Sequence, residues 1–264
     1  MDFVTFTLIQ WKIFVLILIR IGGMISTAPF FGSPLFPASA RIAFILVLTL
    51  ILFPVLPVDA GRLPDTMGEY LLVVFLEAAI GIVFGLAATL VFAGVQLGGQ
   101  MMDQQIGFAL ANVIDPITQT QQSILSQFWF LFATLIFLAS RGHHMLLHGV
   151  VDSFRAIPLG GLTLDRSWVD LVTVKMAGEM FVVAVRISAP IVVSLLLATV
   201  AMGFMARTVP EMNIFILGFA LRILVGIGVM VVVLPLVAHA MIGLFDALAA
   251  DLSRLLVLLG GGEA

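Results

Sequence analysis

The sequence predicts an all-α membrane protein, and three observations carry that prediction. Hydrophobic residues fill 62% of the 264 positions and charged residues only 10%, against roughly 45 to 50% and about 25% in soluble domains. Mean hydropathy is +1.23. The apolar residues also gather in long runs, several near or above the ~20 residues a helix needs to cross a bilayer. No polar block is long enough for a soluble domain, so residues 1–264 read as one membrane domain. The lack of cysteine removes disulfides and thiolate chemistry, and 12 basic residues against 15 acidic ones make no field for nucleic acid.

The first run, Phe3 to Ile25, has no basic n-region and no small-residue cleavage site, so it reads as a retained helix. Lys12 and Arg20 interrupt it, and either snorkel or face a partner. Ser26 to Ala40 holds Pro29, Pro34 and Pro37, which forbid a continuous helix. Phe30, Phe31 and Phe36 keep this connector apolar, so it needs something to pack against or an interface to rest in. Arg41 opens a run from Ile42 to Leu56 that is short for a full crossing. Asp59 to Glu69 sets three acids against one base and reads as a solvated turn.

Tyr70 to Leu97 is the longest helical candidate, about 42 Å at ~1.5 Å per residue. Glu77 is its one charge, and Gly81 and Gly85 follow at four-residue steps on the same face. Gly218, Arg222 and Gly226 repeat the design in the last long run. Small residues at this spacing admit a neighbouring helix to backbone contact, and a charge on such a stripe points at protein. Both stripes are therefore expected to be buried assembly contacts, joined by Arg186. Glu77 is expected to be neutralised by Arg222, by Arg186 or by a partner chain, or else to be protonated and bonded to a backbone carbonyl.

The stretch Gly94 to Pro116 follows. It starts with Gly94, Gly98 and Gly99, passes through Gln100, Asp103, Gln104 and Gln105, turns apolar from Ile106 to Ala111 and ends in Asp115-Pro116. Lipid does not tolerate it as a spanning helix. Water does not favour it as an open loop. It is expected to be broken backbone buried in protein or lining a cavity at membrane level, or a plain interfacial connector.

Ile124 to Ala139 is the next helical run, with Arg141-Gly142 expected to stop it. Gly142 to Glu179 is the most polar region, and its bases and acids balance once Arg141 is included, so charge does not assign orientation. From about Val169 a helix resumes and carries Arg186, Pro190 and Ser194 on one face. The carbonyl freed by Pro190 is expected to be satisfied by the Arg186 guanidinium or by Ser194. A turn from Ala206 to Glu211 leads into Met212 to Ala240, and then an amphipathic tail ends in Gly260 to Gly262. The total is five or six segments, with no convincing inverted repeat.

Catalytic chemistry is thin. His144, His148 and Asp152 share a helix face at metal-ligand spacing, yet no HExxH motif or matching second segment exists, and polar capping is the expected role. No GxGxxG or Walker motif is present, and Lys12 and Lys175 are the only lysines. Ser188 and Ser194 have no arranged base. No metal, cofactor or enzymatic activity is expected.

Three stretches carry a family resemblance: Gly107-Phe108-Ala109 to Asp115-Pro116; SQFWFLFATLIFLASRGHHMLLHGVVDSFRAIPLGG from Ser126 to Gly161; and ARTVPEMNIFILGFALRI from Ala206 to Ile223. Over essentially the whole chain the sequence resembles the FliR/SctT family of type III secretion export-gate subunits, with Gly142, His143, His144, Arg207, Pro210, Asn213 and Gly218 among the matching motif residues. The GHH pair leans toward the flagellar branch.

The resemblance implies long bent helical hairpins, a FliP-like part over about residues 1–180 and a FliQ-like part over 181–264. It implies a single copy assembled with FliP-like and FliQ-like subunits, contact with an FlhB-like protein, and unfolded flagellar substrates in transit. It implies placement in the bacterial inner membrane and flagellar basal body, projecting toward the periplasmic side. It also implies that a loop plugs the closed channel: Gly107, Phe108, Ala109, Asp115 and Pro116 by motif, with Leu110, Ala111, Asn112, Val113 and Ile114 between them. The alternatives are a stand-alone secondary transporter or channel using Glu77 and Arg222, or a scaffold without pore contact.

Overall fold

The computed structural model of the protein describes residues 3–33, 36–56, 64, 66–108, 123–161, 167–208 and 214–261. All the regular structure among them is helical. The helices are α1 (Phe3–Thr27), α2 (Ala38–Leu52), α3 (Met67–Ile106), α4 (Ile124–Ala139), α5 (Gly142–Ala156), α6 (Ser167–Thr208) and α7 (Ile214–Leu259). Among the described residues, four stretches are long and apolar enough to cross a membrane: Thr7–Thr27, Met67–Ile106, Ser167–Thr208 and Leu217–Leu259. A fifth is added if α4 and α5, bent by 71° at their junction, count as one. The expected five or six segments thus become four or five: α2, at 15 residues, drops out, and α4, at 16, counts only together with α5.

Two compact units share the chain in interleaved pieces. The first comprises Met1–Leu90, Arg141–Met176 and Asp246–Ala264; the second comprises Val91–Ser140 and Ala177–Phe245.

In the first unit α1 lies against α3 at backbone distance. A methyl group added at Gly23 would stand 3.1 Å from the Ala78 carbonyl oxygen, and one at Gly81 3.0 Å from the Met24 nitrogen. Thr89 tightens the crossing by donating to the Thr27 carbonyl at 2.6 Å. The proline-rich connector packs as its phenylalanines require. Phe31 stacks on Phe44 at 5.2 Å and meets Phe30 and Phe36 edge-on, while Arg41 donates to the Ser33 carbonyl. In α5, Leu146, Val150 and Ser153 are buried at helical spacing, the pattern of a helix with one face on a core. The last turns of α7 bury Leu248, Leu252, Leu255, Leu256 and Leu259. The amphipathic tail into which the last run was expected to grade is the end of α7, held by its leucine face.

In the second unit the glycines beyond Val91 do not break α3, which continues through the polar patch to Ile106. Their role is close approach. An added methyl at Gly94 would lie 2.7 Å from the Met180 carbonyl oxygen, one at Gly98 2.9 Å from that of Ala184, and one at Gly99 2.6 Å from Ser126 Cα. These contacts seat α3 on α6 and α4. Phe92, Phe137 and Phe245 form a ring cluster with centroids 5.1 to 5.6 Å apart. Ser123 caps α4 by accepting from the Ser126 N–H.

Two further expectations change. α4 does end at Ala139, but Arg141 takes the left-handed conformation (φ 61°), and the buried Gly142 opens α5. In α6, Ser194 donates to the carbonyl of Pro190 at 2.7 Å, not to that of Arg186, because a hydroxyl bonding back along its own helix reaches four residues.

Candidate functional site

Two groups of charged residues stand out, one in each unit. In the first, Arg20 and Glu77 are both fully buried and pair directly, Arg20 Nε donating to Glu77 Oε2. Arg20 Nη1 donates to the carbonyls of Ser153 (3.0 Å) and Ile157 (2.8 Å) at the end of α5. Its guanidinium carbon lies 4.5 Å from the centroid of the Phe154 ring. Glu77 Oε1 accepts the N–H of Gly160 at 2.9 Å, and Gly160 supplies that N–H from φ 74°, a conformation glycine adopts without cost. One ion pair thus ties α1, α3 and the turn after α5 together and gives the Ile157 carbonyl, beyond the last turn of α5, a donor.

The partner of Glu77 is therefore Arg20, not Arg186, Arg222, a second chain or a backbone carbonyl. Only the snorkel-or-partner ambiguity of Arg20 hinted at this. Gly81 and Gly85, on the Glu77 face, receive α1 of the same chain. A second pair escaped the sequence reading altogether: Lys175, in a π-helical turn of α6 (Leu171–Met176), bonds the buried Asp251 of α7.

The second group lies where α3 ends. Gly107 stops the helix at φ 100° and donates to the Asp103 carbonyl at 3.0 Å. Asp103 is 4% exposed, and its Oδ1 is buried without a hydrogen-bond partner among the described residues. Such an atom retains most of its desolvation cost. Ile106 packs on Gly226, and Gly218 faces the sulfur of Met202 at 3.2 Å. Arg222, between those glycines, is half-buried, and its Nε has no partner among the described residues. Arg186 is exposed.

Of the expected plug, Gly107 and the half-buried Phe108 form a turn at the end of α3; Ala109 to Pro116 lie outside the described residues, as do the motif residues Pro210 and Asn213. The other motif residues are spread out. His143 and His144 have ring centroids 4.5 Å apart, with His143 Nδ1 buried and without a partner among the described residues, and Arg207 is exposed.

His148 and Asp152 line a groove of about 340 Å³ with Phe84, Leu252 and Ser253, and Asp152 pairs with Arg155 at 3.4 Å. Among the described residues no three His, Asp or Glu side chains gather in a way that could hold a metal.

Comparison with known proteins places the chain among export components. The model of a family described as bacterial export proteins, family 1, matches residues 11–248. The chain is 35% identical over 254 residues to the flagellar biosynthetic protein FliR of Bacillus subtilis (strain 168), covering 94% of this chain and 95% of that protein. It is 29% identical over 242 residues to FliR of Escherichia coli (strain K12), covering 90% and 92%. With FliR of Pectobacterium carotovorum subsp. carotovorum it shares 30% identity over 241 residues, covering 90% and 91%.

Proposed function

The chain belongs to the bacterial export proteins, family 1, the FliR/SctT family of membrane export-gate components, and from that premise we propose that it is the single-copy structural subunit of a flagellar type III export gate. In this reading it assembles with FliP-like and FliQ-like subunits and an FlhB-like protein in the inner membrane and basal body, and projects toward the periplasmic side. Its bent hairpins form a FliP-like part followed by a FliQ-like part. The loop from Gly107 to Pro116 closes the channel until an unfolded substrate displaces it. The subunit performs no catalysis of its own.

The observation that carries the assembly reading is the length of apolar surface left uncovered. Exposed large apolar side chains run along α6 from Val169 to Met205, a contour length of about 54 Å at ~1.5 Å per residue. The hydrocarbon core is about 30 Å thick, and even a tilt of about 40° lengthens the path only to roughly 39 Å. Lipid therefore leaves part of this stripe uncovered, and neighbouring subunits supply the rest.

A stand-alone transporter using Glu77 is disfavoured by Glu77 itself. Both its oxygens are occupied within the chain, and it is fully buried.

The plug is tested by deleting residues 107–112 in cells that assemble the complex. An inward ion leak with assembly intact is the expected result. An ion-tight membrane carrying the assembled deletion variant would remove the plug from the account.

A further inference from the structure

Midway along α6 in the second unit stands a charge that no described residue answers. Arg186 is exposed, and no hydrogen bond or ion pair engages it among the described residues. It lies within a stripe of apolar side chains at three- and four-residue steps: Val182, then Val193, Leu196 and Val200, each more than half exposed. Phe181 and Val185 widen the stripe on the N-terminal side. Pro190, one turn on, withholds the N–H that a helix would direct to the Arg186 carbonyl. Glu179, two turns before Arg186, is also exposed.

We propose that this stripe seats an apolar helix of a different polypeptide, and that the incoming helix presents a carboxylate to Arg186. The inference rests on the assembly reading above and specifies one of its contacts.

The alternatives fit the surface less well. Set inside hydrocarbon, the guanidinium has no counter-ion and carries the cost of an unpaired charge in lipid. Set at the headgroup level, it spends the charge-free stretch from Ile187 to Ala206 on the membrane and leaves Phe181, Val182 and Val185 facing polar surroundings. A protein helix covers apolar residues on both sides of Arg186 at once.

A second copy of this chain is also a poor occupant. Copies inserted in one membrane share an orientation, so two α6 stripes meeting symmetrically run parallel. Arg186 would then face Arg186. A heterologous helix with an acid at this level, and a base about 10 Å away opposite Glu179 at ~1.5 Å per residue, complements what is exposed. Arginine suits the role because its planar fork binds a carboxylate through two hydrogen bonds and keeps its charge when desolvated.

The test places a photo-crosslinking residue at Val182 or at Val193 in the full-length chain, expressed with its neighbours in native membranes. Both positions are expected to label the same partner polypeptide, on a peptide with Asp or Glu within one turn of the attachment point. Arg186→Glu and Arg186→Gln should reduce the adduct at least tenfold. Arg186→Lys should keep about half of it, and an acid-to-Lys change in the partner should restore labelling of the Arg186→Glu chain. Adducts to lipid alone, adducts to a second copy, or labelling indifferent to Arg186→Glu would overturn the proposal. The size of the unmodified chain's native complex separates the two levels. A chain that migrates alone removes the assembly reading and this contact with it. A large complex in which neither position labels a partner removes this contact only.

Discussion

The two units differ in how far their charges are paired within the chain. In the first, Arg20 and Glu77 close a network inside the chain, linking two helices and the turn after a third. Four hydrogen bonds are in place, and one guanidinium nitrogen, Nη2, is left over. In the second, Asp103 and Arg222 each keep a buried polar atom without a partner among the described residues, and Arg186 stands exposed on an apolar face. The difference separates charges that fold the chain from charges that the described residues leave unanswered. A network complete within one chain stabilises that chain alone. An incomplete one costs stability until a neighbour arrives.

The sharpest way to break this comparison is to remove half of the closed network. Glu77→Ala leaves Arg20 buried and unpaired, so a loss of about 3–5 kcal/mol is expected, read as a lower thermal midpoint in detergent and a lower steady-state level in membranes. Replacing Arg20 and Glu77 together by apolar residues should recover only part of it, because the Ile157 carbonyl and the Gly160 N–H lose their partners.

Helix seams come next in size. Gly94→Ala brings a methyl against the rigid Met180 carbonyl, and about 1–3 kcal/mol of overpacking is expected. Gly226→Ala meets only the movable end of Ile106 and should cost distinctly less in the same unfolding assay.

Lys175→Ala should remove about 1–2 kcal/mol, between the values for exposed and buried pairs, since Asp251 is buried while Lys175 is 39% exposed. The smallest effect belongs to Arg186→Gln. On the isolated chain it should change stability by less than about 0.5 kcal/mol, although it is expected to impair assembly. A large loss in the isolated chain would mean that Arg186 has a fold role, and the contrast between the units would weaken.

Much of the architecture was legible because it is written in composition and period. The helical membrane class, the glycine step after Glu77 and the phenylalanine-held connector follow from local pattern. The pairing of Arg20 with Glu77 does not, since the residues lie 57 positions apart and no periodicity links them. Gly94, Gly98 and Gly99 show a different ambiguity: glycine both breaks helices and admits close neighbours, and only the facing backbone of α6 and α4 decides which. Gly142 reads the same way, as a stop in sequence and as the opening of α5 in space. The loop residues from Ala109 to Pro116 rest on the family resemblance alone.

The most direct test of the account is native mass spectrometry of the tagged chain extracted in mild detergent, with and without co-expressed FliP-like and FliQ-like proteins. The account predicts one copy of this chain within a larger hetero-oligomer, and poor recovery when the partners are missing. A stable homomeric species indifferent to those partners would contradict it.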